Sequence, residues 1–360
     1  MMQDTIPTTN LAALTLGLDL GDKLTEFCLL GPDGTVLERG RVSTTRTGLS
    51  KLFGRLESSL VAMEVCGQSP WISRLVEESG HEVIVADSRR MPLLTRNNRK
   101  NDRNDAELLA RMARSDCELL NPIRHKDEQV QADRELLSAR RVLVASRTRL
   151  VNHVRQVVKV FGHRIPSCSS ESIHRKALEH VPECLRDTLI PLLSVIESLT
   201  GQIRSYDKEI GRLSEKRYPH TAVLRRVGGV GELIALAYVL TIADPTRFRH
   251  SRQVGAYLGM VPRMRQSGTS DPQLRITKAG DREMRKLLVV SANYILGRGP
   301  DCDLRRFGEK IAERGGKNAR KRAKVAVARK LSVLLHRLWM SGEVYDPFHL
   351  ARLRGDPLPA

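Results

Sequence analysis

The sequence predicts an α/β domain, then two long helices, then a mainly α C-terminal domain. Three observations carry that reading. Short apolar runs punctuated by Gly and Pro fill the first part of the chain, two helical stripes span the middle, and glycine-punctuated helical segments with a basic tail close it. The 360 residues suffice for two or three domains with cores of their own.

Leu14–Leu20 reads as a buried strand closed by a Gly21-Asp22-Lys23 turn, and Leu24–Leu30 as a second strand. Gly31-Pro32-Asp33-Gly34 is a hairpin signal leading into a third, Thr35–Val42. A helix is expected around Leu49–Leu60, followed by a fourth strand, Leu60–Val65. Pro70–Ser79 has proline near its start and Gly80 just past its end, the signature of a helix, and His81–Ala86 is a fifth strand. After a basic loop, Arg89–Arg99, a helix opens at Asp102 and runs through Leu108, Leu109 and Met112. Three antiparallel strands, helix, strand, helix, strand, helix is the ribonuclease H-like order.

Asp102 and Asp105 stand three residues apart and so share a helix face. Two such acids repel unless a cation lies between them, and Mg²⁺ takes hard oxygen ligands. The plainer use of these acids is to stabilise a helix N-terminus. In the expected fold the first and fourth strands are neighbours, which brings Asp19 and Glu64 beneath the Asp102 helix. Asp19 also suits a strand-end turn, and Asp22 reads as a turn residue. Glu64 lies in an apolar run, where an isolated charge is costly. Four carboxylates in one pocket suit two-Mg²⁺ phosphoryl transfer. Actin-like ATPases also begin with a Gly-Leu-Asp-Leu-Gly strand and turn, but no phosphate-binding second half is visible.

The net charge of +19 and pI of about 10.1 imply a polyanionic partner. Aromatics make up only 4%, which favours phosphate contacts over base stacking. The six scattered cysteines form no CxxC pair and fit reduced thiols, with neither a disulfide frame nor a zinc site. No apolar run has transmembrane length, and Met1–Asn10 lacks the basic start and apolar core of a signal peptide. The expectation is a cytoplasmic protein with no membrane partner.

Asp127–Phe161 reads as helix, with Leu136/Leu137, Leu143/Val144, Leu150/Val151 and Val157/Val158 recurring every seven residues. Arg134, Arg140, Arg141, Arg147, Arg149 and Arg155 make its other faces basic, and Gly162–Pro166 breaks it. A second helix, Leu185–Leu213, carries Leu189, Leu192, Ile196, Leu199, Ile203, Tyr206, Ile210 and Leu213 at alternating spacings of three and four. The two helices can pair within one chain or between chains; a coiled-coil spacer that also dimerises is expected.

Leu224–Ala235, with Gly228, Gly229 and Gly231, has the look of a helix–hairpin–helix whose backbone N–H groups face phosphate. Ser267 sits in a Ser-Gly turn among Arg263, Arg265, Arg275, Lys278, Arg282 and Arg285. Such cations would neutralise a scissile phosphate. A serine needs a base or a metal to attack, and no histidine lies in this stretch, so by itself Ser267 reads as a loop serine. After Gly315-Gly316 a basic amphipathic helix is expected, with Arg320, Lys321, Arg322, Lys324, Arg329 and Lys330 on a face that binds nucleic-acid backbone and Ala326, Ala328, Leu331, Leu334 and Leu335 on its apolar side.

Together these stretches resemble the DEDD transposases of bacterial insertion sequences, the family numbered one hundred and ten with its eleven-eleven subgroup, also called bridge recombinases. The likeness rests on the Gly17-Leu18-Asp19 strand, Met63-Glu64, Lys100-Asn-Asp102-Arg-Asn-Asp105-Ala106, the Gly-Val-Gly turn, Asp244-Pro with Arg247-Phe248, Gly259-Met-Val-Pro262-Arg263, Ser267-Gly268 and Lys278-Ala-Gly280 with Arg285. It implies a RuvC-like DEDD domain over residues 12–125, a coiled-coil spacer over 126–216 and a transposase domain over 217–345. It further implies Asp19, Glu64, Asp102 and Asp105 as Mg²⁺ ligands and Ser267 as the nucleophile of a composite site, forming a 5′-phosphoserine link to DNA. Arg263, Arg265, Arg275, Lys278 and Arg285 would then lie on nucleic acid. The resemblance brings with it donor and target DNA chosen by an element-encoded guide RNA, and a homotetramer built on coiled-coil dimers.

This chain departs from the family pattern at Asn101, where many relatives carry Ser or Thr, and at Asp281, where Asn is expected. Ser270 lies close enough to be the alternative nucleophile. The rival readings are a DEDD nuclease that resolves branched DNA with activated water, and a non-catalytic nucleic-acid binder on a decayed nuclease fold.

Overall fold

The computed structural model describes residues 14–87, 102–267, 270, 272 and 274–355, with the backbone alone for residues 102 and 103. The polar start Met1–Asn10, the basic loop Arg89–Arg99, Asn101 and Gly268 lie outside the described residues. The chain forms two compact units, Met1–Lys126 and Asp127–Ala360.

In the first unit β1 (Leu14–Leu20), β2 (Leu24–Leu30) and β3 (Val36–Ser43) are antiparallel neighbours. β4 (Ser59–Glu64) and β5 (Glu82–Ala86) follow in parallel, and β6 (Pro122–Ile123) closes an edge antiparallel to β5. The sheet order is β3-β2-β1-β4-β5-β6. The β2–β3 turn forms because the Asp33 carboxylate accepts from the Thr35 N–H at 2.9 Å and the Thr35 hydroxyl at 2.6 Å.

Period-two alternation then assigns the faces. Leu16, Leu18, Val61 and Met63 face α1 (Arg46–Phe53) and α2 (Ser69–Glu78), packing on Leu49, Phe53, Ile72 and Val76. Leu60, Ala62, Ile84, Cys28 and Leu30 face α3 (Asp102–Ser115), packing on Ala106, Leu109, Ala110 and Ala113. Each fully buried Leu or Ile contributes about 1.5–3 kcal/mol. α1 begins and ends earlier than expected. The Thr45 hydroxyl caps it by accepting from the Gly48 N–H at 3.1 Å, and Gly54 ends it well before β4. β6 was not anticipated, because two residues carry no periodicity.

In the second unit α4 (Glu128–Val160) and α5 (Arg186–Lys216) pack against each other within the chain. Asp133 meets Arg217, Arg140 meets Asp207 and Arg147 meets Thr200, so the helices run antiparallel. The buried column of α5 is Leu189, Ile196, Ile203 and Ile210, as expected. Its companion column is Leu193, Thr200 and Ser214, one residue later than the expected Leu192, Leu199 and Leu213. Arg147, expected on an exposed basic face, is only 8% exposed and donates to the Thr200 hydroxyl at 3.3 Å.

The remaining helices share one core, which includes Leu236, Tyr238, Leu288, Val327, Leu331 and Leu335. α6 (Glu232–Ile242) is apolar on every side and runs through its centre. It follows a single helical turn, Thr221–Leu224, and the Gly228-Gly229 bend. A β-carbon at Gly229 would sit 2.9 Å from the Tyr294 ring, so glycine lets this bend dock on α7 (Arg282–Gly297). α8 (Asp303–Ala312) and α9 (Ala319–Ser341) are separated at Gly315-Gly316, both at positive φ. α9 buries Ala323, Val327 and Leu331 and exposes Arg320, Lys321, Arg322 and Arg329; Lys324 is half-buried. Among the described residues no helix is long and apolar enough to cross a membrane.

Candidate active site

β1 and β4 are in parallel register, with Gly17 opposite Ala62 and Leu18 opposite Met63. Asp19 and Glu64 are the next residues on these strands, so they stand side by side about 4.8 Å apart along the sheet. Alternation puts both on the α3 face with Gly17 and Ala62. The direction of α3 is set by two contacts. Ala106 lies over Gly17, while Arg111 and Arg114 reach the Gly34 and Pro32 carbonyls at the β2–β3 turn, beside the start of β1. The N-terminus of α3 therefore points to the end of the sheet that carries Asp19 and Glu64. Asp105, in its first turn, is 8% exposed, and Asp102 opens the helix.

The carboxylates of Asp19, Glu64 and Asp105 are hard oxygen donors, the chemistry Mg²⁺ accepts, and the helix N-terminus favours their charge. Among the described residues, which leave out the Asp102 side chain, no three His, Cys, Asp or Glu are close enough to hold an ion together. The donor chemistry of these carboxylates fits a divalent metal.

A further acid lies at this end of the sheet. Glu26 on β2 is the register partner of Asp19 and shares its face. It is 7% exposed and accepts from Arg41 Nε at 2.6 Å. The signal was available: Glu26 interrupts an apolar strand as Glu64 does, and a short β1–β2 turn places it opposite Asp19.

Ser267 lies in the second unit. Residues 259–263 and 275–278 pair as two antiparallel arms: Arg263 N–H donates to the Arg275 carbonyl at 2.9 Å, Thr277 N–H to Val261 at 2.9 Å and Lys278 N–H to Gly259 at 2.9 Å. At the tip Ser267 and Ser270 exchange both backbone hydrogen bonds, at 3.2 and 3.0 Å. Both serines are exposed, as are Arg263, Arg265, Arg275 and Lys278.

The base of this hairpin is held tightly. A β-carbon at Gly259 would fall 1.9 Å from the Ala279 carbonyl oxygen, and one at Gly280 would fall 2.1 Å from that of Tyr257. Lys278 is held at φ +58, in the left-handed region that costs a side chain strain. Arg285 Nη1 donates to the carbonyls of Leu258, Ala279 and Gly280 at 3.1, 2.7 and 3.0 Å. Burial draws its guanidinium below the ordinary value. Arg285, expected to contact nucleic acid, thus also ties down the hairpin from within. Asp281 caps α7 at the Met284 N–H, 2.8 Å, and pairs with Arg134 at 2.6 Å. Its negative charge is thereby occupied at the helix start.

Two family models match this chain. A DEDD transposase model of the IS110 type matches residues 16–162. The Transposase IS116/IS110/IS902 family matches residues 221–302. The first takes in Asp19, Glu64, Asp102 and Asp105, and the second the Ser267 hairpin. Among the relatives is the transposase for insertion sequence element IS1111A of Coxiella burnetii, 28% identical over 344 residues, or 92% of this chain and 90% of that protein. Another is the transposase for insertion sequence element IS1328 of Yersinia enterocolitica, 27% identical over 289 residues, or 79% of this chain and 84% of that protein.

Proposed function

This chain belongs to the IS110 family of insertion-sequence transposases, and from that premise we propose that it cuts and rejoins DNA through Ser267 at a composite site completed by Asp19, Glu64, Asp102 and Asp105. The observation that supports this best is the register that sets Asp19 beside Glu64 under the helix carrying the other two acids.

In this reading the four carboxylates hold Mg²⁺, which when bound supplies Lewis-acid stabilisation of the oxygens that enter and leave phosphorus. Arg263, Arg265, Arg275 and Lys278 bind the phosphates flanking the scissile bond, orient it toward Ser267 and neutralise charge that builds in the transition state. Ser267 Oγ forms a bond to phosphorus as the P–O3′ bond breaks. The serine proton passes to solvent and the departing O3′ takes one up. The resulting 5′-phosphoserine conserves the bond energy, so a 3′-hydroxyl from the other duplex can attack it, release Ser267 and complete the exchange.

Donor and target DNA would be selected by pairing with an RNA encoded by the element, and the paired α4 and α5 would join subunits into a tetramer. The charge of +19 supports the polyanionic partners. The test is cleavage of element-end DNA, with and without that RNA, in Mg²⁺ and in chelator. Asp19→Asn, Glu64→Gln and Asp105→Asn should each lower the rate about 10²-fold or more with DNA binding retained. Full cleavage in chelator, or by all three variants, would refute the metal site.

A further inference from the structure

In the second unit a cavity of about 770 Å³ opens between α9, the segment 249–253, the start of α8 and the segment 345–350. It lies within the size range of small-molecule sites, about 300–1,000 Å³. None of its lining residues belongs to the acidic site or to the serine hairpin. Leu304, Val333, Leu334 and Pro347 give it apolar walls, and Arg249, Arg252, Lys330 and Arg337 give it cations.

The acids along its edge are already engaged. The Asp303 carboxylate accepts from the Leu350 and Ala351 N–H groups at 2.6 and 3.2 Å. Asp346 pairs with Arg352 at 3.0 Å and accepts from the Phe348 N–H at 3.0 Å. Among the described residues Arg249 and Arg252 enter no ion pair. The Lys330 ammonium lies 4.2 Å from the centroid of the Phe307 ring, half-buried and in no direct ion pair among the described residues, with the Asp303 carboxylate and the Arg354 guanidinium acting on it through space. Burial draws its pKa below the ordinary lysine value. An anion entering the cavity would relieve that cost.

A bare phosphate would use the cations and leave the apolar walls in water. A nucleotide uses both, and Tyr345, His250 and His349 on the lining add flat rings on which a base stacks. We propose that this cavity receives an unpaired nucleotide of a bound nucleic-acid strand, with the base against the Val333–Leu334 wall and the phosphate on the cationic rim. The strand is held by this pocket independently of any chemistry at Ser267.

The test uses the full chain and short single-stranded oligonucleotides, deoxy and ribo, carrying one 5-iodouracil or, at the same position, an abasic residue. Binding is followed by anisotropy, and photo-cross-links are mapped by mass spectrometry. The expected cross-link falls on Tyr345, His250 or His349 in at least one of the two oligonucleotide types, and that type identifies the strand. Lys330→Met and Leu334→Trp should each weaken the complete oligonucleotide about ten-fold. The abasic one should bind wild type about that much more weakly, and Leu334→Trp should weaken it no further. Cross-links wholly outside the cavity, equal affinity of wild type for complete and abasic strands, or unchanged affinity of both folded variants would overturn the proposal. Because cleavage is not read, failure here is distinct from failure of the serine mechanism.

Discussion

Gly17 lies so close beneath Ala106 that a β-carbon on it would sit 2.0 Å from the Ala106 carbonyl oxygen and 2.8 Å from the Ala110 nitrogen. This contact sets the height of α3 over the sheet, and with it the position of Asp105, the residue before Ala106. Gly17→Ala must lift the helix or bend the strand. We expect about 1–3 kcal/mol of lost stability and a much larger fractional loss of DNA cleavage, because the carboxylates separate. Thermal melts and a cleavage assay on the same variant check both.

The Asp133 carboxylate accepts from Arg217 at 2.7 and 2.8 Å, from the Tyr218 hydroxyl at 2.7 Å and from Gln129 at 3.1 Å. Burial pushes this carboxyl up, but the hydrogen bonds from Tyr218, Arg217 and Gln129 together outweigh it and hold it below the ordinary aspartate range. A depressed folded pKa means stability that is fully present above the unfolded value, near 3.9, and is lost as pH falls through the folded one. Asp133→Asn should therefore be less stable than wild type at neutral pH, by about 1–3 kcal/mol. The difference should shrink below about pH 4. Denaturant melts from pH 7 to pH 3 measure it.

Arg285 holds three carbonyls at the base of the serine hairpin. Arg285→Met should loosen the hairpin, speed trypsin cutting at the already exposed Arg263, Arg265 and Arg275 and lower DNA cleavage about 10–10²-fold. The Gly259→Ala variant should do the same through its clash with Ala279. If trypsin cuts this stretch no faster in either variant, the clamp is not what orders the hairpin.

Much of the first unit was legible because its information is local. Turn residues and short apolar runs mark five of the six strands, and strand order then puts Asp19 next to Glu64. What escaped depends on partners far away in sequence. Arg147 reads as a surface cation until Thr200, 53 residues on, closes over it. The companion column of α5 lies one residue from the apolar stripe, where the Thr200 hydroxyl takes the buried Arg147 guanidinium. Arg285 reads as one more phosphate ligand until the crossing at Gly259 and Gly280 presents it with carbonyls. The Ser267 hairpin has too few apolar residues to announce its pairing, which is backbone to backbone.

The exposed cations at the start of α9 should act through phosphates. Replacing Arg320, Lys321 and Arg322 together by Ala should weaken binding to unrelated DNA sequences alike and lower the salt slope by about one per lost contact. A sequence-selective loss would assign them to base reading instead.

The central claim is tested most directly by trapping the protein on DNA. Purified protein, Mg²⁺, the element's RNA and end-labelled donor and target DNA are resolved on a denaturing gel, with Ser267→Ala and Ser270→Ala beside wild type. The account predicts a labelled protein–DNA adduct in wild type and Ser270→Ala that is absent from Ser267→Ala. Cleavage without any adduct, equal in all three proteins, would contradict it and leave a metal-dependent nuclease that uses water.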